Sequence, residues 1–277
     1  MYICESRFLT RGEVWFDEEP GDTRSVDWII YYQRSHPVRG ARCRDYYSYV
    51  IDLTQPVEQL LANLNSDTGH KIRRARERDN ILCDCCDSTD PRVLDRFEEM
   101  YNEFAAVKGL GPLNRVQMDS MAAVGALDLS VAKDPQGNAL VYHANYRDQS
   151  RARSLHLPSL YRKLSESATR NLISRANRYL TWSDILRYKE QGLKCFDFGG
   201  WYPGTTDQAR LNINEFKKGF GGQIVREYEC EQILTPKGWV VLHVAKLLAK
   251  LFPFSPNKPT VSVPPAPVQD PAMVPSA

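Results

Sequence analysis

The segment CFDFGG, residues Cys195–Gly200, decides the fold together with the segment FKKGFGG at residues 216–222. Apolar residues on both sides of a single aspartate predict a short buried strand, and the two glycines predict a loop after it. Residues 207–218 then carry apolar side chains at the spacing of one helical face. This order of strand, Gly-Gly loop and helix places polar groups beside backbone that a ligand can approach closely.

Two stripes of side chains run along this predicted helix. The apolar stripe, which we expect to face the core, consists of Ala209, Ile213, Phe216 and Phe220. The polar stripe beside it consists of Arg210, Asn214 and Lys217. The pattern alone makes Lys217 a surface lysine, so its truncation should barely change the melting temperature.

The other elements follow from hydrophobic periodicity and from runs of β-branched and aromatic residues. Strands are predicted at residues 28–34, 46–53, 81–86, 127–133, 139–147, 152–157 and 223–234. Helices are predicted at residues 55–75, 91–108, 166–191 and 238–252. The segment Asp134–Asn138 has the residues of a hairpin turn. This order predicts an α+β protein with a central mixed, mainly antiparallel sheet and flanking helices.

The composition fits a globular protein with one main domain. The 277 residues carry a formal net charge of +2, which by itself implies no nucleic-acid partner. We expect N-terminal strands at residues 1–45, a module at residues 46–252 and a proline-rich, disordered tail at residues 253–277. The sequence shows no signal-peptide pattern and no apolar run of about twenty residues, the length that spans a bilayer.

The cysteines give a second expectation about the compartment. The chain has seven of them, an odd number, and without a secretion signal we expect reduced thiols in a cytoplasmic protein. Three of them, Cys83, Cys85 and Cys86, do not have the usual spacing of zinc ligands. We therefore interpret this group as structural, since cysteine also packs well as a small apolar residue.

Four segments, taken in chain order, resemble the FemABX and related GNAT-like N-acyltransferases, including CelD-like acetyltransferase domains. They are YVIDL leading to HKIRRA at residues 49–75, the helix at residues 97–108, RYLTW leading to a glycine at residues 178–192, and CFDFGG followed by FKKGFGG at residues 195–222. The similarity covers most of the predicted module. It implies a GNAT-like acyl-CoA N-acyltransferase fold and an enzyme that transfers acyl groups.

The resemblance also implies roles for particular residues. Lys217 would lie at the reaction centre, where a fixed ammonium stabilises the negative charge that forms on the acyl carbonyl oxygen. Asp197 is the leading candidate for the proton acceptor of the attacking amine, and it is equally suited to capping the loop. Phe216 would pack beneath the acyl group. Tyr202 and His143 are further candidates for substrate binding, although a strand histidine is more often a satisfied sheet residue.

Two sets of residues are candidates for binding phosphate, which acyl-CoA, aminoacyl-tRNA and nucleotide-sugar precursors all carry. The basic segment 70–78 forms either a clamp or a solvated helix face, and its candidates are Lys71, Arg73 and Arg74. By resemblance, the donor pyrophosphate lies at a helix N-terminus. The approximate donor contacts are Ser174, Arg175, Asn177 and Arg178. The glycine-containing loop of ordinary acetyl-CoA-dependent GNAT enzymes, Arg/Gln-x-x-Gly-x-Gly/Ala, is not found in the sequence.

We therefore expect a cytoplasmic N-acyltransferase with no tightly bound cofactor. It would move an acyl or aminoacyl group from acyl-CoA, or a similar donor, to an amine of a cell-envelope or sugar-linked acceptor. Its partners would be a small molecule or a polysaccharide or peptidoglycan precursor. One alternative is a peptidoglycan-type aminoacyltransferase that uses aminoacyl-tRNA, with tRNA as a partner. The other is a non-catalytic GNAT-like module that binds an anionic partner.

The segment 238–252 carries a separate expectation. Its apolar residues follow a helical period, and lysines mark the other side. We expect the apolar face to pack against the domain, because the segment directly follows the last predicted strand. The other interpretation is peripheral contact with a membrane, since basic amphipathic helices lie in the interface of a bilayer.

Overall fold

The computed structural model describes residues 1–6, 8–159 and 166–251. Its strands are β1 (Tyr2–Glu5), β2 (Thr10–Trp15), β3 (Trp28–Arg34), β4 (Arg42–Asp52), β5 (Leu82–Cys86), β6 (Leu127–Lys133), β7 (Ala139–Arg147), β8 (Arg151–His156), β9 (Cys195–Gly200) and β10 (Gln223–Ile233). Its helices are α1 (Val57–Ala62), α2 (Ser66–Glu77), α3 (Pro91–Lys108), α4 (Arg115–Ala123), α5 (Ser167–Glu190), α6 (Gln208–Lys218) and α7 (Pro236–Leu251).

All of these strands belong to a single sheet in the order β1-β2-β3-β10-β4-β9-β8-β7-β6-β5. Neighbouring strands are antiparallel except for β2 with β3 and β8 with β9, which are parallel. The prediction of an α+β fold with a mixed, mainly antiparallel sheet and flanking helices is confirmed. The sheet continues from β10 into β3, β2 and β1, so residues 1–45 share it with the rest of the chain.

Helices cover both faces of this sheet because side chains alternate along each strand. On β6, Leu129 packs in one core cluster with Phe97 of α3 and Met118 of α4. The next residue, Ser130, donates a hydrogen bond to Asp184 of α5 on the opposite face. Helices α3 and α4 therefore lie on one face, and α5 lies on the other.

The sheet curls until its N-terminal edge meets β7. The indole of Trp15 on β2 stacks on Tyr146 of β7 with ring centroids 4.6 Å apart, and on Tyr32 of β3 at 4.3 Å. Between β2 and β7 in the strand order lie β3, β10, β4, β9 and β8. One face of these central strands is consequently enclosed by the curl, which explains how charged side chains on them become buried.

The strongest local patterns matched the observed bounds, and the weaker ones did not. The predicted helix 55–75 is two helices, because the Asn65 side chain accepts a hydrogen bond from the Thr68 N–H and caps α2. The second predicted strand begins at Arg42, four residues earlier than expected. The short elements β1, β2 and α4 had no bounds assigned from the sequence.

Two cysteines form a disulfide, which contradicts the expectation of reduced thiols throughout. Cys43 on β4 and Cys230 on β10 are directly opposite each other in the antiparallel ladder and are bonded. Sequence reasoning missed the pair because 187 positions separate the two residues. The group Cys83, Cys85 and Cys86 lies on strand β5 with free thiols.

Helix α7 does not pack against the domain as predicted. Its large apolar side chains are about half exposed, at 49–57% of their surface, and they are Trp239, Val240, Val244, Leu247 and Leu248. The expectation of burial is therefore wrong for these residues. The predicted proline-rich tail at residues 253–277 lies outside the described residues. Within the described residues, no helix is both long and apolar enough to cross a membrane.

Candidate active site at the end of strand β9

Strands β8 and β9 run parallel but pair over a short distance only. Their ladder joins Arg151 to Cys195 and ends where Arg153 faces Asp197, while β8 continues to His156 and β9 to Gly200. Where a strand is no longer paired with its neighbour, its backbone N–H and C=O groups need other hydrogen-bond partners. The end of β9 is therefore an opening in the sheet at which a ligand can meet backbone and side chains together.

Helix α6 closes one side of this opening with its polar stripe rather than its apolar one. Asn214 and Lys217 are only 3% and 6% exposed, whereas Ile213 is 49% exposed and Ala209 is also exposed. Of the predicted apolar stripe, Phe220 is buried as expected. The surface position that the pattern alone gave to Lys217 is therefore wrong, and the reason lies in the loop after β9.

That loop, residues 199–203, takes its hydrogen bonds from α6 and from β4. Asn214 accepts from the Tyr202 N–H at 3.2 Å and donates to the Tyr202 carbonyl at 2.8 Å. The Trp201 N–H donates to the Tyr47 carbonyl. Buried backbone groups must be paired, so polar side chains on α6 are the ones that fit against this irregular segment.

Lys217 is the central cation of the site. Its ammonium donates to the carbonyl oxygens of Gly199, at 3.2 Å, and Gly200. Burial lowers the pKa of Lys217 to about 8, an effect that the Asp197 carboxylate opposes and the nearby Arg153 cation reinforces. An ammonium has three donors. With two of them directed at carbonyls, the third is available to an oxygen placed in the opening.

Arg153 supplies a second buried cation beside Lys217. Its guanidinium donates to the Tyr46 hydroxyl at 3.1 Å and lies over the indole of Trp15. It also lies against Gly199, where an added Cβ would come within 3.2 Å of it, and Gly199 has a φ of +69°. Glycine is therefore required there both by the backbone conformation and by the closeness of Arg153.

Asp197 accepts hydrogen bonds from three groups and belongs to a buried charge network. Its Oδ2 accepts from Arg151 Nη2 at 2.7 Å and from Gln33, and its Oδ1 accepts from the Gly199 N–H at 2.7 Å. Arg151 and Gln33 also donate to Glu227. The bond from Gly199 is the loop cap that the sequence left open as one of two roles for Asp197.

A cavity of about 260 Å³ adjoins the loop and shares Gly200 with the Lys217 site. Aromatic rings and one arginine supply much of its wall, and its lining includes Tyr46, Tyr47, Trp201, Tyr202, Arg210 and Ile213. The exposed Ile213 is thus part of a cavity wall rather than of the core. An apolar wall with a few polar groups is the usual composition of a site for a small molecule.

Comparisons with known proteins were made by sequence and by structure. No protein-family model matches the sequence, and no curated protein matches it. Among solved structures, FemX superposes with a TM-score of 0.59 at 13% identity, covering 80% of this chain and 75% of FemX. The C-terminal domain (DUF2156) of a putative lysylphosphatidylglycerol synthetase from Agrobacterium fabrum superposes with a TM-score of 0.52 at 16% identity, covering 81% and 73%.

The chain shares its fold, a GNAT-like one, with FemX and with this synthetase domain. At these identities the likeness concerns the fold, and the roles of residues must be argued from the site itself. Two of the FemABX-like segments lie together in the structure: CFDFGG forms β9, and FKKGFGG forms the end of α6 and the turn after it, with Lys217 bonded to the Gly199 carbonyl. Phe216 lies between Phe198 and Phe220, with ring centroids 6.2 and 5.4 Å away.

His143 lies away from the opening, in the interface between β7 and α5. Its Nδ1 is 2.8 Å from Asp184 and its Nε2 is 2.9 Å from Asn177, and its side chain is buried. Both ring nitrogens are therefore engaged by protein groups. This arrangement matches the satisfied sheet histidine and removes His143 from our list of substrate contacts. Tyr202, in contrast, lines the cavity described above.

The predicted phosphate contacts on α5 do not lie at its N-terminus. The helix begins at Ser167, so Ser174 and the residues after it lie about two turns or more inside it. Arg175 donates to Asp79, and Asn177 faces His143. Of these four residues, Arg178 lies beside the candidate active site, since its guanidinium is 5.1 Å from the ring of Phe216 on α6. The expected contact with free helical N–H groups is therefore wrong for these four positions.

The basic helix face on α2 is largely solvated. Arg73 and Arg74 are exposed, and Lys71 pairs with Asp67 at 2.7 Å. The end of α2 that carries Asp67 adjoins the end of α6, because Asn65 donates its N–H to the Gly219 carbonyl. The three residues thus remain candidates for a phosphate contact at the surface. Among the described residues, no group of three or more His, Cys, Asp or Glu could hold a metal ion.

Sequence reasoning missed Arg151, Arg153 and Tyr46. A signal for the two arginines exists: in RARSLH they alternate with a small residue on a central strand, which marks buried charges on one strand face. Tyr46 had no comparable signal, because aromatic residues are common in strands for packing alone. Its hydrogen bond with Arg153 becomes apparent only in the structure, where β4 and β8 lie on either side of β9.

Proposed function

We propose that this protein is an N-acyltransferase whose reaction takes place in the opening at the end of β9. It transfers an acyl or aminoacyl group from an acyl-CoA-type thioester, or a similar donor, to an amine of a cell-envelope or sugar-linked acceptor. The observation that carries the proposal is the buried Lys217 ammonium, held against two backbone carbonyls beside an apolar cavity. The FemABX-like fold supports the same reaction class.

In this reaction the neutral amine attacks the acyl carbonyl, and negative charge develops on its oxygen. Lys217 donates its third N–H to that oxygen, and the adjacent Arg153 adds a second positive charge. Because both cations are buried and fixed, they stabilise the charge without reorganising. The carbon–sulfur bond then breaks, and the departing sulfur takes the proton that the amine loses. Asp197 fixes the loop that carries the two carbonyls.

The neighbouring groups suggest how the two substrates are held. The aromatic cavity beside Gly200 accommodates the acceptor, with Tyr202 and Arg210 in its wall. Arg178 lies over Phe216 on the other side of α6, where a guanidinium can pair with a phosphate of the donor. Burial lowers the pKa of Arg178, so an anion at this position would also relieve the cost of burying its charge.

The dependence of the rate on pH should reveal the ionisation of Lys217. Its pKa is about 8, and the protonated form is the one that stabilises the oxyanion, so the rate falls as the pH rises above 8. The acceptor amine contributes a rising limb of its own. The matched control is Lys217→Arg, whose guanidinium stays charged, so the ratio of wild-type to variant rate should fall above pH 8. A ratio that rises with pH would show that Lys217 acts as a base instead.

The proposed reaction class is tested with the purified chain and two kinds of donor. Thiol release from acetyl-, succinyl- and long-chain acyl-CoA is measured with amino-sugar acceptors, and loss of the aminoacyl group from aminoacyl-tRNA is measured in parallel. Acceptor-dependent release with either donor, abolished by Lys217→Met, is the expected result. Donor binding by calorimetry without release, unchanged by Lys217→Met, would show a binding module rather than an enzyme.

A further inference from the structure

Helix α7 is fixed to the domain at its first turn. Asp27 accepts hydrogen bonds from the Thr235 hydroxyl at 2.7 Å and from the Lys237 ammonium at 2.6 Å, and its backbone carbonyl accepts from the Leu234 N–H. Gly238 is buried against the same carbonyl, where a Cβ would come within 2.6 Å of it. The start of α7 therefore has a defined place beside β3.

Beyond this anchor the helix presents a continuous apolar surface to solvent. Three of its exposed residues, Val240, Val244 and Leu247, follow the i, i+4, i+7 spacing of one helical face, and Leu248 extends that face. Trp239 is also exposed and stacks on His243, with centroids 4.1 Å apart. Surface hydrophobic residues scattered singly need no explanation, but a contiguous patch marks an interaction site.

The charged residues of the segment that carries this patch have one sign in the sequence. Between Glu231 and Asp270 the sequence contains no acidic residue, while lysines occupy positions 237, 246, 250 and 258, of which Lys237 pairs with Asp27 at the anchor. In the sequence, Lys246 and Lys250 follow Trp239 at positions i+7 and i+11, which is the spacing of one helical edge. A second copy of the chain would bring an equally basic helix against this one, and the like charges would repel. An anionic surface fits both the apolar stripe and the lysine edge.

We propose that α7 binds the interface of a membrane containing anionic lipids and lies parallel to its surface. Its 16 residues extend about 24 Å, and the hydrocarbon core of a bilayer is about 30 Å thick. The helix is therefore too short to cross the bilayer and lies on it. The apolar stripe enters the acyl boundary, the lysines meet lipid phosphates, and Trp239 occupies the headgroup level. The anchor at Asp27 then holds the domain at the membrane surface.

The test uses the full chain and sedimentation with vesicles of phosphatidylcholine, alone or mixed with phosphatidylglycerol. Wild-type protein should sediment with the mixed vesicles, and the vesicle affinity of Lys246→Gln/Lys250→Gln should be about thirtyfold lower. Val244→Asp/Leu248→Asp should abolish sedimentation. The matched control is Val116→Asp/Val124→Asp, which places the same charges on other exposed apolar residues and should bind like wild type. Melting curves show that each variant is folded.

Two results would overturn the proposal. One is equal sedimentation of wild type and Val244→Asp/Leu248→Asp with the mixed vesicles, since the apolar stripe would then not enter the bilayer. The other is a wild-type dimer in light scattering that becomes a monomer on Val244→Asp/Leu248→Asp, with no vesicle binding by either. In that case a second copy of the chain, and not a lipid surface, would cover α7.

Discussion

Replacing Lys217 with alanine should lower the rate of acyl transfer by about a hundredfold or more, because one fixed donor to the developing oxyanion is lost. The sequence made this residue a surface lysine, whose removal would leave stability unchanged. The structure changes that expectation. Truncation leaves the carbonyls of Gly199 and Gly200 without their donor, which costs about 1–3 kcal/mol of unfolding free energy. Turnover and urea denaturation of the same preparation measure the two effects.

Lys218→Ala is the matched control for this prediction. The neighbouring lysine is about half exposed, pairs with Glu215 on the same helix and lies 5.7 Å from the Trp201 ring, so its loss should change turnover and stability far less than the loss of Lys217. Lys217→Arg, which keeps the charge, should recover part of the rate. If Lys217→Ala turns over within a few-fold of wild type while its stability falls, Lys217 holds the loop and has no part in the chemistry.

Replacing Arg151 with methionine should destabilise the protein by about 3–5 kcal/mol, because it leaves Asp197 and Glu227 buried without their shared cation. Although burial alone would lower the pKa of Arg151, the two carboxylates hold it above its ordinary value, so the ion pairs outweigh the desolvation of the guanidinium. The guanidinium also lies 4.4 Å from the ring of Phe16. Urea denaturation followed by circular dichroism measures the loss.

Arg24→Met serves as the comparison, since Arg24 forms a fully exposed pair with Asp22 and its loss should leave the unfolding free energy nearly unchanged. If Arg151→Met does not fold, the triple variant Arg151→Met/Asp197→Asn/Glu227→Gln should recover folding, because no uncompensated charge remains. A loss for Arg151→Met as small as that for Arg24→Met would mean that the network is hydrated and that its charges are not coupled.

Much of the fold could be read from the sequence, since the elements with strong periodicity were found at their observed bounds. Helix Pro91–Lys108 and strands Trp28–Arg34, Leu127–Lys133 and Ala139–Arg147 agree residue for residue. Local features set these bounds. The helix has a proline in its first turn and a glycine after its last turn, and the strands have alternating apolar residues on either side of a turn. The elements β1, β2 and α4 had no bounds assigned, because their residues show neither a clear alternation nor a clear helical period.

The site was predicted less completely, and α6 shows why. Its amphipathic pattern correctly indicated a helix and the burial of Phe220, but it did not indicate that Asn214 and Lys217 are buried while Ile213 is exposed. A stripe of Asn214 and Lys217 is buried because the loop after β9 needs hydrogen-bond donors and acceptors. Such a need cannot be recognised until the loop and the helix are placed together.

The sequence by itself determined the class of fold, the position of the Gly-Gly loop after β9 and the presence of a lysine directly after Phe216. These are consequences of local periodicity and of backbone freedom at glycine, which neighbouring residues decide. The tertiary structure decided which cations meet at that loop, which cysteines are bonded and which face of α7 remains exposed. Those outcomes depend on the curl and strand order of the sheet, which bring together residues as distant as Gln33 and Asp197. No local pattern encodes contacts at such separations.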